Sequence, residues 1–486
     1  MRIRTLALAA ATATALAATG LTASVAGAAT TAELPTVRTD FNHDGYADLA
    51  VGLPNASVSG VSKAGYVNVV WGSESGLGAH GSTRISQATA GAPGTPESGD
   101  RFGASVTTAD MDGDGHTDLV VGAPGEDVTG KGTDAGTVAV IHGSATGFAT
   151  GSTAADGPAA SAAYGKSLVA ADFTGDGEQD IVIGATDKVL LRTGATTTVF
   201  MGDHMGGRAP VLAAGDFNHD GTPDVAVTYY TNSQPYTQSQ IRLSAWSESE
   251  QRLLNYWNSS NGTASAFAVG DFDGDGYTDL AMGNCRENAD ENIDDPCGPE
   301  QYTKGGGIHI QYGDGTGQFW NRQETFNQDT PDVPGTAETG DNFGNALTVA
   351  DLDGDGYDDL VVGAPGEAIG SRAKAGAITV LRGGKDGIVN AEGKAVGVGI
   401  QQDTPGVPGV AEAGDLFGAA LTADDYDGDG LPDVTVGSPG ENGLLGAAWQ
   451  LRGAEDAQAD AISPSTLRLP SSVNPLQYGS VFPTTP

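Results

Sequence analysis

The chain has 486 residues, of which 74 are Gly and only 17% are charged, and its acidic groups outnumber the basic ones by enough to give a net charge of −39. Glycine without a three-residue period excludes a collagen-like rod, and the acidic balance excludes both nucleic acid and anionic membranes as partners, since each demands Lys and Arg. A metal cation is the natural counterweight, and a closed repeat fold can absorb this length in one domain.

Residues 1–28 read as a secretory signal peptide. Arg2 and Arg4 precede an Ala/Leu-rich run from Leu6 to Leu21, and Ala26-Gly27-Ala28 supplies small residues for cleavage. The mature chain is therefore expected to be secreted into an extracellular, oxidising setting. No later stretch is apolar enough to span a bilayer. The remainder, residues 35–484, is expected to form one domain.

A nine-residue unit then recurs seven times. It begins at Asp40 (DFNHDGYAD), Asp110 (DMDGDGHTD), Asp172 (DFTGDGEQD), Asp216 (DFNHDGTPD), Asp271 (DFDGDGYTD), Asp351 (DLDGDGYDD) and Asp425 (DYDGDGLPD). The copies occupy 40–48, 110–118, 172–180, 216–224, 271–279, 351–359 and 425–433. Eight residues before the loop, four copies carry an aromatic-Gly pair: Phe102-Gly103, Tyr164-Gly165, Phe343-Gly344 and Phe417-Gly418. After it comes a short apolar run ending in Gly, often continued as Gly-Ala-Pro, as at Gly122-Ala123-Pro124 and Gly363-Ala364-Pro365. A third β-branched run follows, such as Thr137-Val138-Ala139-Val140-Ile141. Runs this short, bounded by Gly, Pro and Asp, are strands, and no long helical period is present. Each unit thus predicts strand, loop, strand, strand and a weaker fourth strand. Seven such four-stranded antiparallel sheets make an all-β, seven-bladed β-propeller.

Two features near the end of the chain refine this. Cys285 and Cys297 are the two cysteines, and in an exported protein they read as a disulfide closing a short polar loop, with two free thiols as the alternative. The first unit lacks an aromatic-Gly pair, while the C-terminus holds Tyr478-Gly479-Ser480-Val481-Phe482. Residues 478–482 are expected to supply the innermost strand of the first blade and close the ring. A disordered Pro/Ser/Thr-rich tail is the alternative.

The loop chemistry suits Ca²⁺, a hard cation that takes six to eight oxygens. Positions 1, 3, 5 and 9 offer side-chain oxygens and position 7 a backbone carbonyl. The expected ligands are Asp40, Asn42, Asp44, Tyr46 and Asp48 in the first loop, and Asp110, Asp112, Asp114, His116 and Asp118 in the second. The third has Asp172, Thr174, Asp176, Glu178 and Asp180, and the fourth Asp216, Asn218, Asp220, Thr222 and Asp224. The fifth has Asp271, Asp273, Asp275, Tyr277 and Asp279, and the sixth Asp351, Asp353, Asp355, Tyr357 and Asp359. The seventh has Asp425, Asp427, Asp429, Leu431 and Asp433. Thr174 marks the third loop as the weakest. An EF-hand would need a bidentate carboxylate at position 12. That position is apolar here, as at Val51 and Val121, so an EF-hand is excluded. Up to seven Ca²⁺ are expected.

These motifs resemble the FG-GAP repeats of the integrin α-subunit head across nearly all of residues 35–484. The resemblance implies a seven-bladed propeller with calcium in hairpin loops on one face. It departs from that family in two ways. Integrin α-subunits carry calcium in only some blades, whereas all seven copies here keep ligands. The chain also lacks the stalk and membrane helix of a receptor, so no transmembrane signalling is implied.

For catalysis the sequence offers no H-E-x-x-H, no G-x-S-x-G elbow and no P-loop. His43, His116 and His219 lie inside the loops and read as solvated side chains. Glu97, Glu338 and Glu412 recur with Asp100, Asp341 and Asp415, which is the mark of a repeat and not of a unique dyad. The expected function is a non-catalytic binding or adhesion module for an extracellular protein or glycan. The alternative is a secreted hydrolase, or the propeller subunit of an enzyme complex. Aromatic inserts in the fourth and fifth units, including Tyr229, Tyr230, Tyr236, Trp246, Tyr256 and Trp257, are candidate partner contacts, with packing between blades as the other reading.

Overall fold

The second strand of each unit reads as an unbroken apolar run because both of its faces are covered. In the computed structural model Asp118–Ala123 and Asp359–Ala364 are buried along their whole length. The structure describes residues 39–202, 209–231, 238–259, 264–283, 305–314, 322–453, 458–470 and 472–484. The signal peptide over 1–28 and both cysteines lie outside these residues, as does Tyr236.

The strands form seven antiparallel meander sheets. The second blade is typical, with strands Ser105–Ala109, Asp118–Ala123, Thr137–Ile141 and Gly151–Asp156 in that order. The first strands of successive blades pack side by side, so the sheets stand around an axis as a seven-bladed β-propeller. The outermost strands are the half-exposed ones, as in Gly151–Asp156 and Gln458–Ile462, which explains their weaker sequence signal. Among the described residues no helix is long and apolar enough to cross a membrane.

The core is not central. Among the described residues the buried apolar side chains fall into seven clusters, and each is shared by two consecutive blades. The aromatic of each aromatic-Gly pair is buried in one of them: Phe102, Tyr164, Phe343 and Phe417. The glycines serve a different end. A Cβ placed on Gly52, Gly122, Gly283, Gly363 or Gly437 would lie within 1.9–2.2 Å of the carbonyl of Gly103, Gly165, Gly344, Gly418 or Gly479 in the next unit. The Gly of Gly-Ala-Pro thus meets the Gly of the next aromatic-Gly pair, backbone against backbone.

Ring closure uses the same contact. Tyr478 is fully buried, and Gly479 lies against Gly437 as Gly418 does against Gly363. Val481 accepts a hydrogen bond from the Gly52 N–H (3.0 Å), the place that Ser105 takes opposite Gly122 in the second blade. The inner edge of the first blade is completed by this C-terminal segment together with Thr39, whose carbonyl accepts from the Asp48 N–H (2.6 Å). It is not a regular strand. The segment turns away after Phe482, and Thr484 donates to the Val106 carbonyl (2.9 Å) in the neighbouring blade. The first blade therefore has three regular strands, Leu49–Leu53, Tyr66–Val70 and Ser82–Ile85, and a composite fourth.

Gly363→Ala should destabilise the ring by about 3 kcal/mol or more, because the obstructing atom is backbone and cannot swing aside. Gly384→Ala is the control, since a Cβ there meets nothing within 4 Å. Denaturant unfolding of the two variants checks this: equal midpoints would contradict the seam contact.

Candidate metal centres

Each nine-residue unit forms the hairpin between the first and second strands of its blade. The chain reverses with left-handed backbone at positions 4 and 6, as at Gly354 (φ 73°) and Gly356 (φ 89°). His43 and His219 adopt that conformation at position 4. The reversal turns backbone N–H groups inward onto the carboxylates. Asp351 Oδ1 accepts from the Asp355 N–H (3.1 Å), and its Oδ2 from the Gly356 N–H (2.9 Å). Asp355 Oδ1 accepts from the Tyr357 N–H (3.1 Å). The second loop repeats this pattern with Asp110 and Asp114, and the fourth with Asp216 and Asp220.

The carboxylates converge. Ligand oxygens of Asp110, Asp112 and Asp114 lie within 4.8 Å of one another, as do those of Asp351, Asp353 and Asp355 and those of Asp425, Asp427 and Asp429. In the fifth loop the converging set is Asp271, Asp273 and Asp279. Donor sets made of oxygen alone match the preference of hard divalent cations. In the first and fourth loops Asn42 and Asn218 stand in for the position-3 Asp. Their Oδ1 atoms accept from the Asp44 N–H (3.0 Å) and the Asp220 N–H (2.8 Å), as the Asp353 Oδ1 does from Asp355. Thr174 departs from this. Its hydroxyl donates to Asp180 Oδ2 (3.1 Å), so it turns a proton and not a lone pair toward the neighbouring ligand.

Position 9 has a second role that sequence reasoning missed. Asp48, Asp118, Asp279 and Asp359 are each no more than 1% exposed. Their Oδ1 atoms accept from the N–H of Gly72, Gly143, Gly313 and Gly383, just past the third strand (2.8–2.9 Å). The aspartate thus staples the hairpin to the next strand of its own blade. In the fourth blade the Tyr256 hydroxyl donates to Asp224 (2.7 Å). Burial pushes these carboxyls up, to about 7 for Asp48 and Asp433 and about 8 for Asp224 and Asp279, with neighbouring loop carboxylates adding to the rise.

Basic side chains were also missed. Arg382 reaches Asp353 (3.3 Å) and Asp359 (2.5 Å). Arg322 pairs with Asp273, and Arg452 approaches Asp427 (3.8 Å). His142 sits 3.3 Å from Asp112 and 3.1 Å from Asp118. Two of them, His142 and Arg382, directly precede the stapling glycine, and that spacing was available in the sequence.

The loops also touch one another. The position-7 side chain of one lies on position 4 of the loop before it. Tyr357 covers Gly274, Leu431 covers Gly354 and Tyr46 covers Gly428. His116 stacks edge-on against His43 (5.1 Å) and Tyr277 against His219 (4.7 Å). The loop histidines thus each make one ring contact with a neighbouring blade, while His43 and His219 remain exposed as the sequence suggested. Main-chain bonds add to this: the Ala47 N–H donates to the Asp425 carbonyl and the Asp358 N–H to that of Asp271 (both 3.1 Å).

Other candidates resolve into structure. Asp100, Asp341 and Asp415 each accept from the N–H of Glu97, Glu338 or Glu412 in the same geometry three times over. Trp257 is buried between the fourth and fifth blades, and Trp246 packs against the core of the third and fourth.

The FG-GAP repeat model matches residues 102–141, 164–196, 343–381 and 417–450. The FG-GAP-like repeat model matches 40–121 and 216–282. A phosphatidylinositol-glycan-specific phospholipase D from Bos taurus is 37% identical over 153 residues, 30% of this chain and 17% of that protein. Integrin alpha pat-2 of Caenorhabditis elegans is 37% identical over 103 residues, 20% of this chain and 7% of that protein. Integrin alpha-PS5 of Drosophila melanogaster is 44% identical over 87 residues, 18% and 8% of the two chains. This chain thus spans less than a fifth of each of these relatives. Among solved structures, an exotype rhamnogalacturonan lyase, YesX, aligns over 88% of this chain and 86% of that one, at a TM-score of 0.32 and 15% identity, too low for any argument. The two repeat models together take in all seven loops and more than half of the sequence, and on that ground the chain belongs to the FG-GAP repeat proteins.

Proposed function

We propose that this protein is a secreted, calcium-binding propeller that acts as a non-catalytic binding module for an extracellular protein or glycan. The observation that carries the calcium part is the convergence of oxygen-only ligand sets in hairpins whose backbone N–H groups already hold the carboxylates in place. The ligands are those given above for the seven loops. The ion supplies positive charge at the centre of each hairpin, while the chain's own residues fix the oxygens and exclude solvent from position 9.

The binding part is supported by what the relatives share. Segments similar to this chain occur in a phospholipase D and in integrin α-subunits, aligned over 17% of the one and 7% of an example of the other. A segment common to such different proteins is better read as a scaffold for recognition than as the seat of one reaction. Screening the calcium-loaded protein on a glycan and matrix-protein array, beside a panel of hydrolase substrates, tests this. Saturable binding without turnover is expected. Turnover that persists when loop aspartates are replaced would make the protein an enzyme instead.

Extracellular calcium modules bind with Kd of about 10⁻⁴–10⁻³ M. At about 1 mM calcium that contributes roughly 0.4–1.4 kcal/mol per loop. Over seven loops the sum rivals a typical domain's net stability of about 5–15 kcal/mol. EGTA should lower the melting temperature by many degrees, and superimposable melts with and without chelator would overturn the calcium reading.

The pH dependence has a definite sign. Without metal, Asp48, Asp224, Asp279 and Asp433 titrate in the folded ring near pH 7–8, above the usual carboxylate value of 3.8. The folded state then binds more protons than the unfolded chain, so metal-free stability is greatest at low pH and falls as pH rises through this window. Calcium competes with those protons and binds better as they leave. Melting in EGTA should therefore occur at a lower temperature at pH 8 than at pH 5.5, and the calcium-induced rise should be larger at pH 8. A calcium effect of equal size at both pH values would contradict this.

A further inference from the structure

His142 stands where an arginine stands in two other blades. It directly follows the strand Thr137–Ile141 and precedes Gly143, whose N–H donates to Asp118 Oδ1 (2.8 Å). Arg382 precedes Gly383 in the sixth blade, and Arg452 precedes Gly453 in the seventh. Both arginines reach the position-3 aspartate of their loops, Asp353 and Asp427. A guanidinium has no lone pair to give a metal. An imidazole has one, and it is a borderline donor suited to zinc-class cations and poorly suited to calcium.

The geometry around His142 fits that difference. Its Nδ1 lies 3.3 Å from Asp112 Oδ2 and 3.1 Å from Asp118 Oδ2. All three ligand atoms lie within 4.8 Å of one another. Tetrahedral zinc with ligand bonds of about 2.0–2.1 Å sets its ligand atoms about 3.3 Å apart, so these two distances, one of them the His142–Asp118 hydrogen bond, are compatible with the edges of such a site. Asp118 is 0% exposed, and its Oδ1 accepts from the Gly143 N–H and its Oδ2 from the Met111 N–H (3.0 Å), which fixes one corner while Oδ2 keeps a second lone pair for a metal. Asp112 is 43% exposed, which leaves room for a water at a fourth corner. Two carboxylates and a neutral imidazole balance the charge of one divalent ion.

We propose that the second loop is a divalent transition-metal centre of the zinc class, ligated by Asp112 Oδ2, Asp118 Oδ2 and His142 Nδ1. This rests on the reading of the hairpins as metal loops; the second loop also holds the oxygen set Asp110, Asp112 and Asp114, and His142 is what turns its preference from calcium to the zinc class. Calcium and zinc would then occupy different members of the same ring, and Asp110 and Asp114 would brace the zinc loop through their bonds to backbone N–H groups.

The test uses the full mature chain, stripped with chelator and with its thiols alkylated, then titrated with Zn²⁺ under excess Ca²⁺. One zinc per chain should be retained. His142→Arg installs the side chain found in the sixth and seventh blades. It should weaken zinc binding by about 100-fold or more, since even outer-shell changes commonly weaken metal sites 10–100-fold, and it should leave the calcium-induced rise in melting temperature in place. Should this variant fold poorly, Co²⁺ bound to the unaltered protein gives a second readout. Intense visible absorption is expected of a four-coordinate, nitrogen-bearing site, whereas faint absorption typical of an all-oxygen, six-coordinate ion would overturn the proposal. So would undiminished zinc retention by His142→Arg. No zinc retention while calcium still stabilises the ring would end this inference alone, and failure of both metals to bind would end the calcium reading as well.

Discussion

At five of the seven seams a glycine Cα in the second strand of one blade lies against the carbonyl of the glycine that follows an aromatic residue in the next. A methyl group at any of these positions would fall within 2.2 Å of a backbone oxygen. Two backbones can approach this closely only where neither carries a side chain on the contact face. The rest follows from that approach. It brings each buried aromatic into the cluster between blades. The last such contact, Gly437 against Gly479, is made by the C-terminal segment, so the two ends of the chain are joined by the same device that joins the blades.

The hairpins provide a second belt. Tyr357 on Gly274, Leu431 on Gly354 and Tyr46 on Gly428 place one loop's position 7 on the position 4 of another, and the last of these spans the closure. Position 4 must be glycine where a ring or branched chain lies flat on it. His43 and His219 occupy that position where the neighbour can instead meet an imidazole edge-on. A cation that orders one hairpin would therefore also order the surface on which the next hairpin rests, so the proposed calcium would act on the ring and not on separate turns.

Much of this was legible in the residues because it is local. The ligand spacing, the aromatic-Gly pair and the apolar second strand each lie within about twenty residues of one another, and backbone geometry alone fixes their relation. Tyr478 was legible for another reason: the first unit lacks a part and the C-terminus has one to spare. What could not be read were contacts between equivalent points of different repeats. Tyr46 and Gly428 lie at opposite ends of the sequence, and nothing in either motif names its partner. The third and fourth blades also depart from the pattern. Asp224 takes its hydrogen bond from Tyr256, in a blade with Trp246 where others have the stapling glycine, and Thr174 donates where its counterparts accept.

Electrostatics ties the two belts together. Position 9 is buried by the same close packing that seals the seams, and a carboxylate placed there raises the free energy of the ionised ring unless a positive charge stands near it. The chain meets this demand in two ways. Where position 3 is aspartate, a guanidinium faces it in the fifth, sixth and seventh loops, from Arg322, Arg382 and Arg452, and the His142 imidazole faces it in the second. Where no such partner is set, position 3 is neutral, as Asn42, Thr174 and Asn218. An arginine partner or a neutral position 3 each removes one negative charge from the loop before any ion arrives, so repeats that differ in sequence reach the same reduction through different residues.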